Sequence, residues 1–167
     1  MVELAAGGVR VAIEEGLDVH DTQRILEALP EWFGRPDAIA SYATEAARLK
    51  VAVARLDEVA VGLAALAPRS AATCEIAVMG LRPDLHGRGI GRRLVAAALA
   101  AMRRDGIRLA LVRTLGTGDP DPFYARTRAF YVHLGFLPLI EIADHFGPGT
   151  PALLMVHPLA ARSKSRD

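Results

Sequence analysis

Apolar positions recur along this chain with two spacings, and each spacing predicts one kind of secondary structure. Short apolar or alternating runs bounded by turn residues predict strands at 9–13, 50–56, 59–66, 74–81, 107–114, 136–142 and 152–156. Apolar residues three or four positions apart predict helices from 21 or 22 to 29, from 36 to 46, from 89 to 104 and from 124 to 134. Asp21 or Thr22 is the expected N-cap of the first of these helices. The resulting order, β-α-α-β-β-β-α-β-α-β-β, predicts an α/β (α+β) chain whose mixed, mostly antiparallel central sheet has six to seven strands with helices on both faces.

Length and composition suit one domain. The chain has 167 residues, of which 51% are hydrophobic and 23% charged, as is typical of a globular domain with its own core. We expect one domain over 1–159 and a disordered polar tail over 160–167. A formal net charge of +1 gives no reason to expect nucleic acid or a membrane surface as a partner.

Residue types that form disulfides or bind metals are sparse. Cys74 is the single cysteine, which excludes an internal disulfide, and its strand position predicts a core residue rather than a nucleophile. The five histidines are scattered, so no metal site is expected. No apolar run is long enough to span a bilayer, and we expect a cytoplasmic protein.

One stretch, between the fourth predicted strand and the third predicted helix, is rich in glycine and arginine. It reads His-Gly-Arg-Gly-Ile-Gly-Arg-Arg-Leu over 86–94. Glycines let the backbone approach a ligand closely, and free N–H groups at a helix start bind phosphate oxygens. The sequence therefore predicts a phosphate site here, with a glycine-rich turn and solvated arginines as the structural alternative.

A dinucleotide-binding loop is the main competing interpretation, with Arg113 reading a 2′-phosphate. The spacing Gly-x-Gly-x-Gly differs from the Gly-x-Gly-x-x-Gly of that fold, and no acidic residue ends the next predicted strand. An NADP-binding protein is therefore the weaker alternative.

The same loop resembles the Gln/Arg-x-x-Gly-x-Gly/Ala signature of the GNAT N-acetyltransferase superfamily, with His86 where Gln or Arg is usual. The segment 74–83 resembles the fourth strand of the family, and Ala-Phe-Tyr-Val-His-Leu-Gly-Phe at 129–136 resembles its later signature. The resemblance implies that acetyl-CoA is the co-substrate, with its pyrophosphate on the loop and its pantetheine arm along the fourth strand. The cofactor-binding residues that it implies are Met79, Gly80, Leu81, His86, Gly87, Arg88, Gly89, Ile90, Gly91, Arg92 and Tyr124.

Tyr131 is the candidate general acid. It matches the tyrosine that in this family faces the thioester sulfur, and a phenol with a pKa of about 10 can donate a proton to the CoA thiolate. Packing of an aromatic helix residue on the sheet is the alternative. Tyr124 stands seven residues earlier, where the family often has an asparagine.

Glu75 is the candidate base, acting through water on the acceptor amine, because it matches a strand position where some family members carry a catalytic glutamate. A solvated strand acid, or a partner for a neighbouring arginine, is the alternative. Gly80 suits a strand bulge that frees a backbone N–H near Met79 to Leu81 for the oxyanion. A small residue beneath a helix is the alternative there.

The acceptor side carries a weaker pattern. Trp32, Phe33 and Tyr42 belong to the two early helices and the turn between them, and are candidates for substrate binding, with ordinary packing as the alternative. We therefore expect an acetyl-CoA-dependent N-acetyltransferase that acts on a small-molecule or peptide amine by direct ternary-complex transfer. A catalytically inactive CoA-binding module remains an alternative, and an edge strand near the C-terminus makes a homodimer a possibility.

Overall fold

Seven strands and four α-helices follow one another in the predicted order. In the computed structural model, which describes residues 8–160, they are β1 (Val9–Glu15), α1 (Val19–Glu27), α2 (Pro36–Ala46), β2 (Lys50–Leu56), β3 (Val59–Pro68), β4 (Thr73–Leu81), α3 (Ile90–Arg104), β5 (Leu109–Leu115), α4 (Pro122–His133), β6 (Leu137–Ile142) and β7 (Ala152–Pro158). A single 3-10 turn, Pro83–Leu85, precedes α3. Positions 161–167 of the expected tail lie outside the described residues.

The strands form a seven-stranded mixed sheet with the order β1-β2-β3-β4-β5-β7-β6. β1 pairs with β2, β2 with β3, and β7 with both β5 and β6 in antiparallel fashion, whereas β4 and β5 are parallel. The prediction of a mixed, mostly antiparallel sheet is confirmed.

The start of α1 differs from its prediction. Asp18, rather than Asp21 or Thr22, is the N-cap, and its carboxylate accepts hydrogen bonds from the backbone N–H groups of His20 and Asp21. A carboxylate at this position satisfies two of the N–H groups that a helix start leaves without intrahelical partners. The N-cap therefore lies three residues before Asp21 and four before Thr22.

By its contacts the chain divides into two compact units, Met1–Ala67 with Ile76–Ala101, and Pro68–Glu75 with Met102–Asp167. In the first unit, Val53 and Leu63 pair across β2 and β3 and join a buried cluster with residues of α1 and α2. Gly62 points to the opposite face, where a Cβ would lie 3.2 Å from Leu94 of α3. Helices therefore cover both faces of the strands in this unit.

In the second unit, pairing assigns each side chain of β5 to one of two faces. Ala110 pairs with Cys74 on one side and His157 on the other, so these three residues share a face. Glu75 pairs with Leu111 and therefore lies on the opposite face, which Arg113, two residues further along β5, also shares. This assignment determines which candidate residues in the unit can meet.

Candidate active site

The glycine loop precedes α3, as predicted, and its conformation explains its composition. Gly87 and Gly89 have φ angles of +73° and +77°, in the left-handed region that glycine enters without steric cost. A Cβ at either position would meet no atom within 4 Å. Backbone conformation rather than crowding therefore requires these glycines, and the space beside the loop is open.

Backbone donors in this loop are left for a ligand. The N–H of His86 donates to the carbonyl of Pro83, and that of Arg93 donates to the carbonyl of Gly89. Within the described chain, no hydrogen bond uses the amides from Gly87 to Arg92. The positive end of the α3 dipole adds to these donors, so the loop has the properties of an anion site whose backbone donors begin one residue after His86.

Some side chains of the loop hydrogen-bond to backbone carbonyls, and others are exposed to solvent. The His86 Nε2 lies 2.7 Å from the carbonyl oxygen of Leu81 and, because a carbonyl only accepts, donates to it. Arg93 donates to the carbonyl of Val9 at 3.0 Å. Arg88 and Arg92 are exposed, so they are the arginines of this loop that can add positive charge beside its amides.

Gly80 lies beneath α1. A Cβ there would sit 3.0 Å from Leu26, 3.1 Å from Leu29 and 3.4 Å from Ile25. The packing of α1 therefore requires a small residue at position 80, which was the alternative to a strand bulge, and it accounts for the glycine without one. Met79 is half-buried, and Leu81 is buried beside the loop.

The three aromatic candidates for acceptor binding do not form one cluster. Phe33 and Tyr42 meet edge to face at 5.9 Å and pack against the core of the first unit, which is the packing alternative. Trp32 instead stands edge to face with His86 at 6.1 Å. The turn after α1 therefore contacts the glycine loop through Trp32.

Glu75 is 5% exposed and is held by two arginines. Arg113 donates through Nε to Oε1 at 2.9 Å and through Nη2 to Oε2 at 2.5 Å. Arg69 donates through Nε to the same Oε2 at 2.9 Å. The alternative interpretation of Glu75 as an arginine partner therefore has direct geometric support.

The ion pairs set the protonation of Glu75. Burial raises the pKa of this carboxyl, but the hydrogen bonds and charges of Arg113 and Arg69 outweigh it, so the net pKa is lowered. Glu75 is therefore ionised at neutral pH and is a weak proton acceptor.

His145 joins Glu75, Arg69 and Arg113 in one cluster. The sequence did not point to His145 or Arg69 as site residues. The Arg113 Nη1 lies 3.2 Å from His145 Nε2. Arg69 reaches Glu75 because a tight turn, in which the Arg69 N–H donates to the Thr73 carbonyl, joins β3 to β4. The short Arg-Ser-Ala-Ala-Thr link between two strands at 69–73 was the available sequence signal.

Tyr131 is 7% exposed in an aromatic cluster of α4. Its ring lies 5.2 Å from that of Phe130 and 5.3 Å from that of Phe136. Burial raises the pKa of the Tyr131 phenol well above its usual value, so the hydroxyl keeps its proton at all physiological pH. Tyr124 lies two helical turns earlier on the same helix and is half-buried.

Tyr131 and Glu75 occupy opposite faces of the strands in this unit. Phe136 contacts both Tyr131 and, at 5.1 Å, the ring of His157, which shares the face of Ala110. The side chains of Tyr131 and Glu75 therefore do not meet on one face of these strands.

Thr114 has a polar atom whose role sequence reasoning missed. This residue of β5 is 4% exposed and lies on the face of Ala110 and Tyr131. Its hydroxyl is buried, and within the described residues it has no hydrogen-bond partner. Such an orphaned group is uncommon and is consistent with a polar ligand on this face.

Three further observations concern metals, membranes and the cysteine. Across residues 8–160 no cluster of three or more histidine, cysteine or acidic side chains is placed to hold a metal ion, and no helix there is long and apolar enough to cross a membrane. Burial, with a contribution from Asp105, raises the pKa of Cys74 to about 11, so its thiol is protonated at neutral pH.

Comparison with known proteins identifies the family of this arrangement. Residues 19–136 match the acetyltransferase (GNAT) family. Over 81 residues the chain is 40% identical to the mycothiol acetyltransferase of Beutenbergia cavernae, covering 48% of this chain but 24% of that protein. The chain thus spans about a quarter of the length of this curated relative.

Solved structures with the same fold come from several bacteria. A GNAT-family structure from Desulfovibrio desulfuricans superposes with a TM-score of 0.76 at 22% identity, covering 90% of this chain and 99% of the other. An acetyltransferase from Elizabethkingia anophelis, solved with acetyl-CoA bound, gives 0.70 at 15% identity, covering 92% and 100%. At these identities the likeness establishes the fold, including its seven-stranded sheet.

Proposed function

Because this chain belongs to the GNAT family of acetyltransferases, we propose that it transfers the acetyl group of acetyl-CoA directly to a primary amine within a ternary complex. The observation that carries the proposal is the glycine loop. Gly87 and Gly89 hold it in a conformation that leaves a row of backbone amides unused at the start of α3. Such a row suits the pyrophosphate of CoA.

The donor would be held by the loop and the strand before it. The amides from Gly87 to Arg92 and the exposed Arg88 and Arg92 side chains offer hydrogen bonds and positive charge for phosphate oxygens. Met79, Gly80 and Leu81 would run beside the pantetheine arm. In the second unit, Tyr124 and the orphaned hydroxyl of Thr114 are further candidates for polar contacts with the donor.

The chemistry requires a C–N bond to form and a C–S bond to break, with one proton leaving the nitrogen and one reaching the sulfur. The amine nitrogen attacks the thioester carbonyl carbon and then loses a proton to water, while the C–S bond breaks and the leaving thiolate takes a proton from Tyr131, which water reprotonates. Tyr131 is assigned the acid role. Burial raises the pKa of this phenol, which keeps it protonated and able to donate a hydrogen bond to the developing thiolate but makes it a weaker proton donor than an exposed tyrosine.

Glu75 is assigned the role of positioning Arg113 and Arg69, in place of the role of general base. Its two ion pairs lower its pKa, which weakens it as a proton acceptor. An amine that is already neutral, delivered from solvent, then serves as the nucleophile. This assignment predicts a rate that rises with pH as the fraction of neutral amine increases.

Acetyl-CoA turnover over a panel of amines tests the proposal, with released CoA thiol as the readout. The panel contains amino acids, peptides, aminoglycosides and amino sugars. Turnover of at least one amine is expected, with Tyr131→Phe lowering kcat by about a hundredfold and the matched Tyr124→Phe lowering it less. Tight acetyl-CoA binding with no turnover of any amine would instead establish an inactive CoA-binding module.

A further inference from the structure

Strand β6 is exposed along its whole length although it is mostly apolar. It reads Leu-Pro-Leu-Ile-Glu-Ile over 137–142, and all six residues are exposed. β6 forms one edge of the sheet and β1 forms the other. β1 has the charged residues Arg10, Glu14 and Glu15, whereas β6 has one charged residue. Natural proteins protect or cover an exposed apolar edge strand, so the surface of β6 calls for a partner.

Strand pairing places three apolar residues of β6 on one face of the second unit. Leu137 pairs with Val156 of β7, and Ile140 pairs with Leu154. Val156 pairs in turn with Leu111 of β5, which lies on the face opposite Ala110 and α4. These residues therefore belong to the face that α4 leaves open. We term this surface the apolar β6–β7 face, and it consists of Leu137, Ile140 and Ile142 of β6 with Leu154 and Val156 of β7.

This face is large enough to form half of a dimer interface. Its β6 residues are 37% to 56% exposed, and its β7 residues are half-buried. Phe146, in the loop after β6, is 43% exposed, and its ring meets that of His145, which contacts Arg113 on the same face. These six apolar side chains present on the order of 500 Å². A homodimer interface of standard size takes about 800 Å² from each copy, about 65% of it apolar, so the two areas agree.

The charges around the apolar β6–β7 face favour an apolar partner. Glu141 is the charged residue of β6, but it lies on the opposite face and its carboxylate accepts hydrogen bonds from the N–H and the hydroxyl of Thr117. Arg113 beside the face is paired with Glu75. No lysine or arginine occurs from 136 to 158, whereas attachment to an anionic lipid surface uses basic residues. A second copy of the same face is an uncharged partner of equal size.

The backbone of β6 favours packing of faces over extension of the sheet. Pro138 has no N–H to donate, and the pairing of β6 with β7 shifts register between Pro138 and Ile140. A proline and an irregular register both hinder the addition of a further strand at an edge. Side chains can still meet face to face, as in two sheets packed about 10 Å apart.

We propose that two copies of this chain associate through the apolar β6–β7 face, packed face to face about a two-fold axis. A two-fold axis makes each copy contribute the same residues, so the contact closes at two copies. Ile140 lies between Leu137 and Ile142 along β6 and is therefore placed in the middle of the contact. The dimer would form whether or not the chain transfers acetyl groups.

Sedimentation equilibrium of the full chain at rising protein concentration tests the dimer. We expect a dimer with a Kd of about 10 μM or lower. Ile140→Asp places a charge in the contact and is expected to raise the Kd at least about a hundredfold, and the milder Ile140→Thr about fivefold. Val59→Asp changes a residue of β3 that is 48% exposed and lies outside the face, so this matched control should dimerise like the unsubstituted chain.

Two further measurements make every result decisive. Circular dichroism and titration with acetyl-CoA report whether each variant is folded, and Ile140→Thr decides if Ile140→Asp is not. Flotation with phosphatidylcholine vesicles shows whether a lipid surface covers the face instead. A dimer that both Ile140 variants leave intact would overturn the inference. So would a chain that stays monomeric at about 100 μM, since the face would then belong to a lipid surface if the monomer floats and to a different protein if it does not.

Discussion

Arg113 donates hydrogen bonds to both carboxylate oxygens of Glu75, with Nε 2.9 Å from Oε1 and Nη2 2.5 Å from Oε2. Arg69 adds a single bond from a more exposed position. A buried carboxylate that loses its principal partner is left with an uncompensated charge. The two arginines therefore differ in what their removal costs.

Arg113→Met is expected to lower the free energy of unfolding by about 2 to 3 kcal/mol. Arg69→Gln should lower it by about 1 kcal/mol or less, because the pair between Glu75 and Arg113 remains. Urea unfolding of both variants and of the unsubstituted chain measures the difference. Equal losses would mean that the two arginines contribute alike.

Acidification should remove the contribution of Glu75 to stability. Its folded-state pKa is below the unfolded value, so the contribution is complete above the unfolded pKa, about 4.3, and is lost as pH falls through the folded-state pKa. The stability difference between the unsubstituted chain and Glu75→Gln should be constant from about pH 5 to 7 and shrink below about pH 4. A difference that grows on acidification contradicts the lowered pKa.

The same variant separates positioning from base catalysis. If Glu75 positions the arginines, Glu75→Gln should change KM for the acceptor more than kcat at saturating acceptor. A fall in kcat of about a hundredfold or more with an unchanged KM, together with loss of an acidic limb in the pH profile, would restore Glu75 as the base.

Replacing the loop glycines should weaken CoA binding. Gly87→Ala and Gly89→Ala introduce a Cβ into left-handed backbone, at a cost of about 1 kcal/mol, with no steric contact. Gly106→Ala is the matched control, since Gly106 has a φ of +79° and equally open surroundings but follows α3. All three should destabilise the fold similarly, and titration should find weaker CoA binding for the loop variants alone.

Thr114→Val tests whether the orphaned hydroxyl serves a ligand. Removing a buried, unpartnered hydroxyl should leave the free protein as stable or more stable by about 1 kcal/mol. If the hydroxyl contacts the donor, acetyl-CoA should then bind more weakly and raise the melting temperature less than in the unsubstituted chain. A destabilised free protein with unchanged acetyl-CoA affinity would indicate a hidden structural partner.

Local patterns predicted the elements well because the signals were local. Pro36 begins α2 as expected, and the Asp57-Glu58 turn joins β2 to β3, with positive φ at both residues. The start of α1 was misjudged because Asp18, Asp21 and Thr22 can all cap a helix through their side chains, and the local sequence does not select Asp18 among them. The family motifs pointed to the glycine loop because its residues lie in one continuous segment.

Pairings between distant residues were beyond the sequence. The Glu75–Arg113 bond joins residues 38 positions apart, and only the register of β4 on β5 brings them together. The opposite-face relationship of Glu75 and Tyr131 likewise depends on strand pairing. Gly80 shows the same limit, since its need for a small residue comes from α1 packing above it.

Calorimetric titration of the chain with acetyl-CoA and, separately, with NADPH measures directly whether the glycine loop binds CoA. We expect saturable binding of acetyl-CoA, at least about tenfold weaker in Gly89→Ala and unchanged in Gly106→Ala, with no comparable binding of NADPH. Binding of NADPH without binding of acetyl-CoA would contradict this expectation.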